Sequence, residues 1–161
     1  MAPDVSLPAG LALEPARSAD FEALFTLIDE SFAPLLGPAG QWDRARERRM
    51  FRRSFTPGRD LVLRACGQDG SVAGLWSVAG IPGGRVLLYA VLAPQWRNRG
   101  IGSRLLAALT GEADANGIPL ELTVHRLNRA SALYERVGFR AVLETDTKLR
   151  MRYSPSLRQW A

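Results

Sequence analysis

Val86-Leu87-Leu88-Tyr89-Ala90-Val91-Leu92 is an apolar run with no polar–apolar alternation, and it ends at Ala93-Pro94. A strand written this way is expected to be buried on both faces, which places it in the middle of a sheet. Proline ends it, having no N–H to give to a ladder. Gln95-Trp96-Arg97-Asn98-Arg99-Gly100-Ile101-Gly102-Ser103 follows, and then a helix on which Ile101, Leu105, Ala108 and Leu109 share one stripe. Gly117, after Asn116, stands where a C-cap glycine belongs. Strand, glycine-bearing turn and helix together build an anion site. The glycines let backbone approach a phosphate, the helix's first N–H groups are unpaired, and the dipole favours negative charge. Arg97 and Arg99 add positive charge to the same turn. No Gly-x-x-x-x-Gly-Lys-Ser/Thr is present, nor the third glycine of the dinucleotide fingerprint. The turn is therefore expected to bind a phosphate group by neither of those rules.

The rest of the composition sets the frame. At 161 residues, with 47% hydrophobic residues, the chain is expected to form one domain (1–161) whose core spans about 10–153. No apolar run approaches the roughly 18 residues of a membrane span. Met1-Ala2-Pro3-Asp4-Val5-Ser6 lacks the basic start and apolar core of a signal peptide. Cys66 is the only cysteine, which excludes a disulfide within the chain, so the cytosol is the expected compartment. The net charge is +5, and Lys148 is the only lysine among the 21 Lys and Arg residues. An arginine-rich balance fits a phosphorylated cofactor, an acidic substrate or RNA, and selects none of them.

Outward from the central strand, the pattern predicts an α/β (α+β) fold. Leu11 to Pro15 reads as a short strand, and Ser18 as the N-cap of a helix burying Phe21, Leu24, Phe25, Leu27, Ile28 and Phe32. Pro34 to Gly40 reads as a loop, and Gln41 to Phe55 as a second helix, with six arginines over an aromatic underside. That basic face is a solvated surface or a rim attracting acidic substrate. Asp60–Cys66 and Ser71–Ala79 read as strands joined by the turn Gly67-Gln68-Asp69-Gly70. After the central helix come a strand at Leu120–His125, a short helix within Asn128–Gly138, and a closing hairpin of Phe139–Glu144 and Lys148–Tyr153. Ser154–Ala161 reads as a tail. Hairpin strands joined to strand-helix-strand units predict a mixed, mostly antiparallel sheet of six or seven strands, with about four helices on both faces.

Two stretches resemble one family. Arg97-Asn98-Arg99-Gly100-Ile101-Gly102 resembles the Gln/Arg-x-x-Gly-x-Gly/Ala signature of the GNAT superfamily of N-acetyltransferases, and Asn128 to Phe139 resembles its Asn-x-x-Ala/Ser-x-x-x-Tyr-x-x-x-Gly-Phe signature. Their order and spacing match the family, as does the element order across nearly the whole chain. The resemblance implies acetyl-coenzyme A as acyl donor and no metal. It places Arg97, Asn98, Arg99, Gly100, Ile101, Gly102 and Ser103 around the pyrophosphate, and Val91 and Leu92 along the pantetheine arm. Asn128 is implied to contact the cofactor and Tyr134 to protonate the departing thiolate. As read from the residues alone, Asn128 is equally a helix N-cap and Tyr134 a core residue.

Candidates for the base are His125, which titrates near working pH, and Glu121. Ribosomal-protein acetyltransferases of the superfamily carry a glutamate five residues before the asparagine. That position is Thr123 here, and Glu121, on the same strand face, is the nearest carboxylate. The implied reaction is direct attack of an amine on the thioester, with the oxyanion held by a central-strand N–H. Cys66, in an apolar strand without a neighbouring base, is not expected to carry an acyl group. The alternatives are a non-catalytic coenzyme A sensor on the same fold and a basic RNA-binding module. A homodimer is compatible with the sequence. The resemblance implies an acceptor site formed by the first two helices, their loop and the last hairpin, and those segments carry no signature that identifies the acceptor.

Overall fold

The computed structural model describes residues 2–67 and 70–155. The strands are β1 (Leu11–Pro15), β2 (Leu61–Ala65), β3 (Val72–Ile81), β4 (Gly84–Leu92), β5 (Leu120–His125), β6 (Arg140–Glu144) and β7 (Lys148–Tyr153). They form one seven-stranded sheet in the order β1-β2-β3-β4-β5-β7-β6. Every neighbouring pair is antiparallel except β4 and β5. A short turn returns a chain antiparallel, whereas a parallel neighbour needs a crossover. Here the crossover is α3 (Ile101–Asn116), closed by Gly117 in the left-handed conformation.

The helices cover both faces. On one, Phe21, Leu24, Phe25 and Ile28 of α1 (Phe21–Leu36) and Phe51 of α2 (Arg44–Ser54) pack on Val62, Leu75 and Val91. On the other, Ile101, Leu105, Leu106 and Leu109 of α3 and Tyr134 of α4 (Ala130–Arg136) pack on Leu63, Trp76, Leu87 and Leu122. The α3 stripe therefore runs through Leu106, while Ala108 is only half-buried.

The arginines of α2 roof the aromatic core. Arg48 pairs with Glu22 and lies over the rings of Phe21 and Phe25, and Arg52 lies 4.5 Å from the Phe21 centroid. Arg44 pairs with Asp29 at 3.1 Å. Cation–π contacts of this exposed kind are worth about 0.5–1 kcal/mol each.

Several boundaries differ from the sequence expectation, each for a local reason. Ser18 does not cap α1; it lies in a single 3-10 turn, and the Asp20 carboxylate accepts the Arg17 N–H at 2.8 Å. Pro34 sits inside α1 rather than opening a loop. It forfeits one backbone bond near the helix end, and the full burial of Leu36 holds the last turn in place. Asp43, accepting from the Arg46 N–H at 3.1 Å, starts α2 three residues later than Gln41. β2 stops before Cys66, which is exposed. Gln68 and Asp69 of the expected turn, and 156–161 of the expected tail, lie outside the described residues.

The central strand departs most. β4 pairs with β5 only over Arg85–Leu87 against Leu120–Leu122. Its pairing with β3 steps from Val78↔Leu87 to Ser77↔Tyr89, so Leu88 has no opposite residue. A bulge of this kind bends its strand. Beyond it β4 leaves β5, and Leu88 and Ala90 are exposed instead of buried. The sheet is split at its centre.

Candidate active site at the split in the sheet

The split joins two clefts. One, of about 910 Å³, lies between β4, the N-terminal end of α3 and the start of α4. The other, of about 210 Å³, lies between α1, α2 and the free ends of β4 and β5. Phe32, Ala90, Asn128 and Tyr134 line both, so the clefts meet where β4 and β5 part.

On the larger side the chain offers backbone. The Ala93 N–H bonds the Ala73 carbonyl across to β3 at 2.7 Å. Alternation along an antiparallel ladder then turns the Val91 backbone to β3 and leaves those of Ala90 and Leu92 facing the gap. Leu92 thus turns its backbone to the gap and Val91 turns its own to β3, while Ala90 is a gap-facing position the sequence reading did not name.

The turn before α3 does the same. Gly100, at φ 76°, begins α3 with no side-chain cap, and the first backbone bond back to it comes from Arg104 at 3.1 Å. The N–H groups of Ile101, Gly102 and Ser103 therefore have no partner within the helix. A Cβ on Gly102 would meet only Leu133 Cδ2 at 3.6 Å, an ordinary contact. The protein's own packing does not require glycine there, and bare backbone faces the cleft.

The arginines of this turn are engaged rather than free. Arg97 donates from Nε to the Leu92 carbonyl at 2.9 Å and from Nη2 to Ser31 Oγ at 3.2 Å, tying the turn to β4 and α1. Arg99 stacks on Trp96 at 4.9 Å. Arg97, Asn98 and Gly102 line the large cleft, whereas Ile101 is core and Ser103 is exposed outside both clefts.

Opposite lies α4. Asn128 Oδ1 accepts the Ala130 N–H at 2.9 Å, a turn just ahead of α4, whose N-cap is Arg129 rather than Asn128, and Asn128 also lines both clefts. Tyr134 is buried against Phe139, and burial pushes its phenol up to about 12. No side chain among the described residues bonds its hydroxyl. His125 lines the smaller cleft; burial first, and then Lys148, hold its imidazole below the ordinary value, so the neutral base is favoured. Its Nδ1 is buried without a partner among the described residues.

Glu121 does not join them. Its carboxylate pairs with Arg150 at 2.9 Å, and it lines neither cleft. The reason is register: Glu121 pairs with Val86, in the part of the sheet that is still closed. Thr123 and His125 lie past the split.

The sequence matches the family model of the acetyltransferase (GNAT) domain over residues 39–152, more than half the chain. The chain belongs to this family. It is accordingly an acyltransferase with a GNAT fold. Among solved structures it is similar to the PaiA N-acetyltransferase of Thermoplasma acidophilum in complex with coenzyme A, at 21% identity and a TM-score of 0.64, over 89% of this chain and 98% of that one. It is likewise similar to the ribosomal-protein-S18-alanine N-acetyltransferase of Escherichia coli, at 21% identity and 0.64, over 91% and 95%. Ard1 of Thermoplasma volcanium gives 16% and 0.66, over 92% and 99%. Similarity at this level speaks for the fold alone. Among curated protein sequences none matches.

The residues of the GNAT chain fit coenzyme A on physical grounds. Unpaired N–H groups and a helix N-terminus suit a pyrophosphate, and the gap-facing backbone of Ala90 and Leu92 can pair with an amide-bearing arm as a strand would. On the smaller side the sequence reading missed Trp42, Glu47 and Lys148 as cleft residues. All three lie in segments where the resemblance implies the acceptor site, the second helix and the last hairpin, but no residue among them was singled out. Among the described residues no helix is long and apolar enough to cross a membrane.

Proposed function

We propose that the chain transfers the acetyl group of acetyl-coenzyme A to a primary amine by direct attack. The single observation behind this reading is that two clefts meet at the split in the sheet, with Tyr134 and Asn128 in both. Such a layout lets two substrates reach one point from opposite sides, so no acyl-enzyme is needed. Cys66, exposed and outside both clefts, has no part in it.

Acetyl-coenzyme A supplies the activated carbonyl. The first N–H groups of α3, around Gly102, hold its phosphates, while Asn128 and the gap-facing backbone of β4 align its arm. His125, neutral and on the acceptor side, removes a proton from the incoming ammonium. A gap-facing N–H of β4 steadies the negative charge that develops on the carbonyl oxygen as the C–N bond forms. Tyr134 gives its proton to sulfur as the C–S bond breaks and recovers one from the new amide nitrogen. The ammonium loses two protons in all: one ends on the thiol and the other reaches solvent through His125.

Thiol release from acetyl-coenzyme A, followed with a panel of amines, amino acids and peptides, tests the reading. Release that depends on an acceptor supports it. Binding of coenzyme A with no release by any acceptor overturns it in favour of a sensor.

A further inference from the structure

The acceptor-side cleft is narrow in both size and chemistry. At about 210 Å³ it falls below the roughly 300–1,000 Å³ of sites for drug-sized ligands. That space suits one molecule of amino-acid size better than a length of peptide. Part of its wall is apolar and aromatic: Phe32 and Trp42 on the helical side, Tyr89 on β4, with Leu88 and Met50 exposing large apolar surface; Thr123, His125 and Asn128 add neutral polar groups.

Within this lining only two side chains carry full charge, Glu47 on α2 and Lys148 at the start of β7. Neither has a salt bridge among the described residues, although arginines elsewhere are heavily paired. They stand on opposite walls. Lys148 is directly across the β5–β7 ladder from His125, and Glu47 is near enough to Tyr89 to raise its phenol, behind the larger effect of burial. Unpaired opposite charges facing an apolar space fit a ligand that carries both signs and an apolar body.

We propose that the acceptor is a free amino acid with an apolar side chain, whose carboxylate is held by Lys148 and whose ammonium is drawn in by Glu47. The assignment rests on the amine-acetylation reading above and names its substrate class. One ammonium, with no arginine fork in this cleft, matches a singly charged carboxylate rather than a phosphate. Glu47 concentrates the cation without taking its proton, and His125, kept neutral by burial first and then by Lys148, is left to do so. Trp42, Met50 and Leu88 surround the apolar body.

The test is turnover of the full chain with acetyl-coenzyme A and matched probes. L-Leucine, L-methionine and L-phenylalanine are compared with isoamylamine, 3-(methylthio)propylamine and phenethylamine, which lack the carboxylate. The amino acids should be preferred in kcat/KM by at least about tenfold, the order of one charge-assisted contact. Lys148→Gln should erase that preference, the loss falling on the KM of the amino acids, and Lys148→Arg should restore most of it; all variants are compared at about pH 8, where the imidazole is neutral with or without the ammonium beside it. Equal use of both series, a preference unchanged in Lys148→Gln, or acetylation confined to peptides would overturn the acceptor assignment while leaving the transferase reading intact. Should no probe turn over, calorimetry of L-phenylalanine and phenethylamine with the coenzyme A-loaded protein decides. Tighter binding of the amino acid, lost in Lys148→Gln, supports the assignment, and no difference ends it. A protein that binds no acetyl-coenzyme A loses the transferase reading, and this assignment falls with it.

Discussion

Tyr134 carries the sharpest expectation of any single residue. Its phenol sits where both clefts meet, and burial pushes it up to about 12. The proton is thus present throughout the working range. Tyr134→Phe keeps the ring packed on Phe139 and should change stability little, while turnover falls roughly 10²-fold or more with coenzyme A affinity unchanged. Single-turnover rates beside calorimetry check this, and a full-rate variant would make Tyr134 a core residue only. His125 sets the pH profile. Burial and Lys148 lower its pKa from 6.5, with Glu47, Tyr89 and Tyr134 the other ionisable groups lining the same cleft. A base is competent when neutral, so kcat should hold as pH falls to 6.5 and decline only through the depressed value. No descending limb from Tyr134 is expected up to about pH 10. His125→Gln should remove the acid limb and cost about 10²-fold in kcat; an unshifted profile at full rate takes His125 out of the mechanism. Stability moves the same way: the unfolded chain binds this proton more readily, so acidification through that window favours unfolding.

At the scale of elements, the proposed cofactor site rests on the start of α3 and the bend in β4. Gly102 tolerates a Cβ sterically, with Leu133 at 3.6 Å, so Gly102→Ala should fold normally and keep most of its affinity. Gly102→Glu places bulk and negative charge against the unpaired N–H groups and should abolish coenzyme A binding in calorimetry. Unchanged affinity would move the phosphate site elsewhere. The glycine turn into α3 was legible in sequence because its parts are local: glycines, arginines and a helix start lie within a few residues. The bend in β4 was not. Seven apolar letters from Val86 to Leu92 read as a strand buried on both faces, and no residue among them marks a bulge. It exists because β3 and β4 step out of register at Leu88, a property of the pairing. Glu121 went the same way. Its strand face was read correctly, but its place before the split depends on how far β4 and β5 stay paired. The acceptor wall was legible only as segments, the first two helices, their loop and the last hairpin implied by the resemblance; which side chains face the cleft was not, since Trp42, Glu47 and Lys148 come from stretches about 100 residues apart that the folded sheet brings together.

The whole molecule is a sheet joined at its middle by a short parallel seam. β1 to β4, with α1 to α3, form one side, and β5 to β7, with α4, the other; Arg85–Leu87 against Leu120–Leu122 is the only strand pairing between them among the described residues. A ligand lying in the large cleft touches both sides, through Leu92 and Gly102 on one and Asn128 and Leu133 on the other. It binds the folded chain and not the unfolded one, so at a hundred times its Kd it should add about 2.7 kcal/mol. For a domain of this size that corresponds to a rise in Tm of roughly 5–10 °C. The gain should be local as well as global. Amide exchange should slow at Ala90, Leu92 and Gly102, whose N–H groups face the cleft, and change least in β1 and β2, far from it. Gly102→Glu, given the same concentration of coenzyme A, should show neither the rise in Tm nor the protection. Protection spread evenly over the sheet, or centred on β6, would mean that the ligand sits somewhere other than the split, and both the cofactor site and the two-cleft reading would have to be abandoned together.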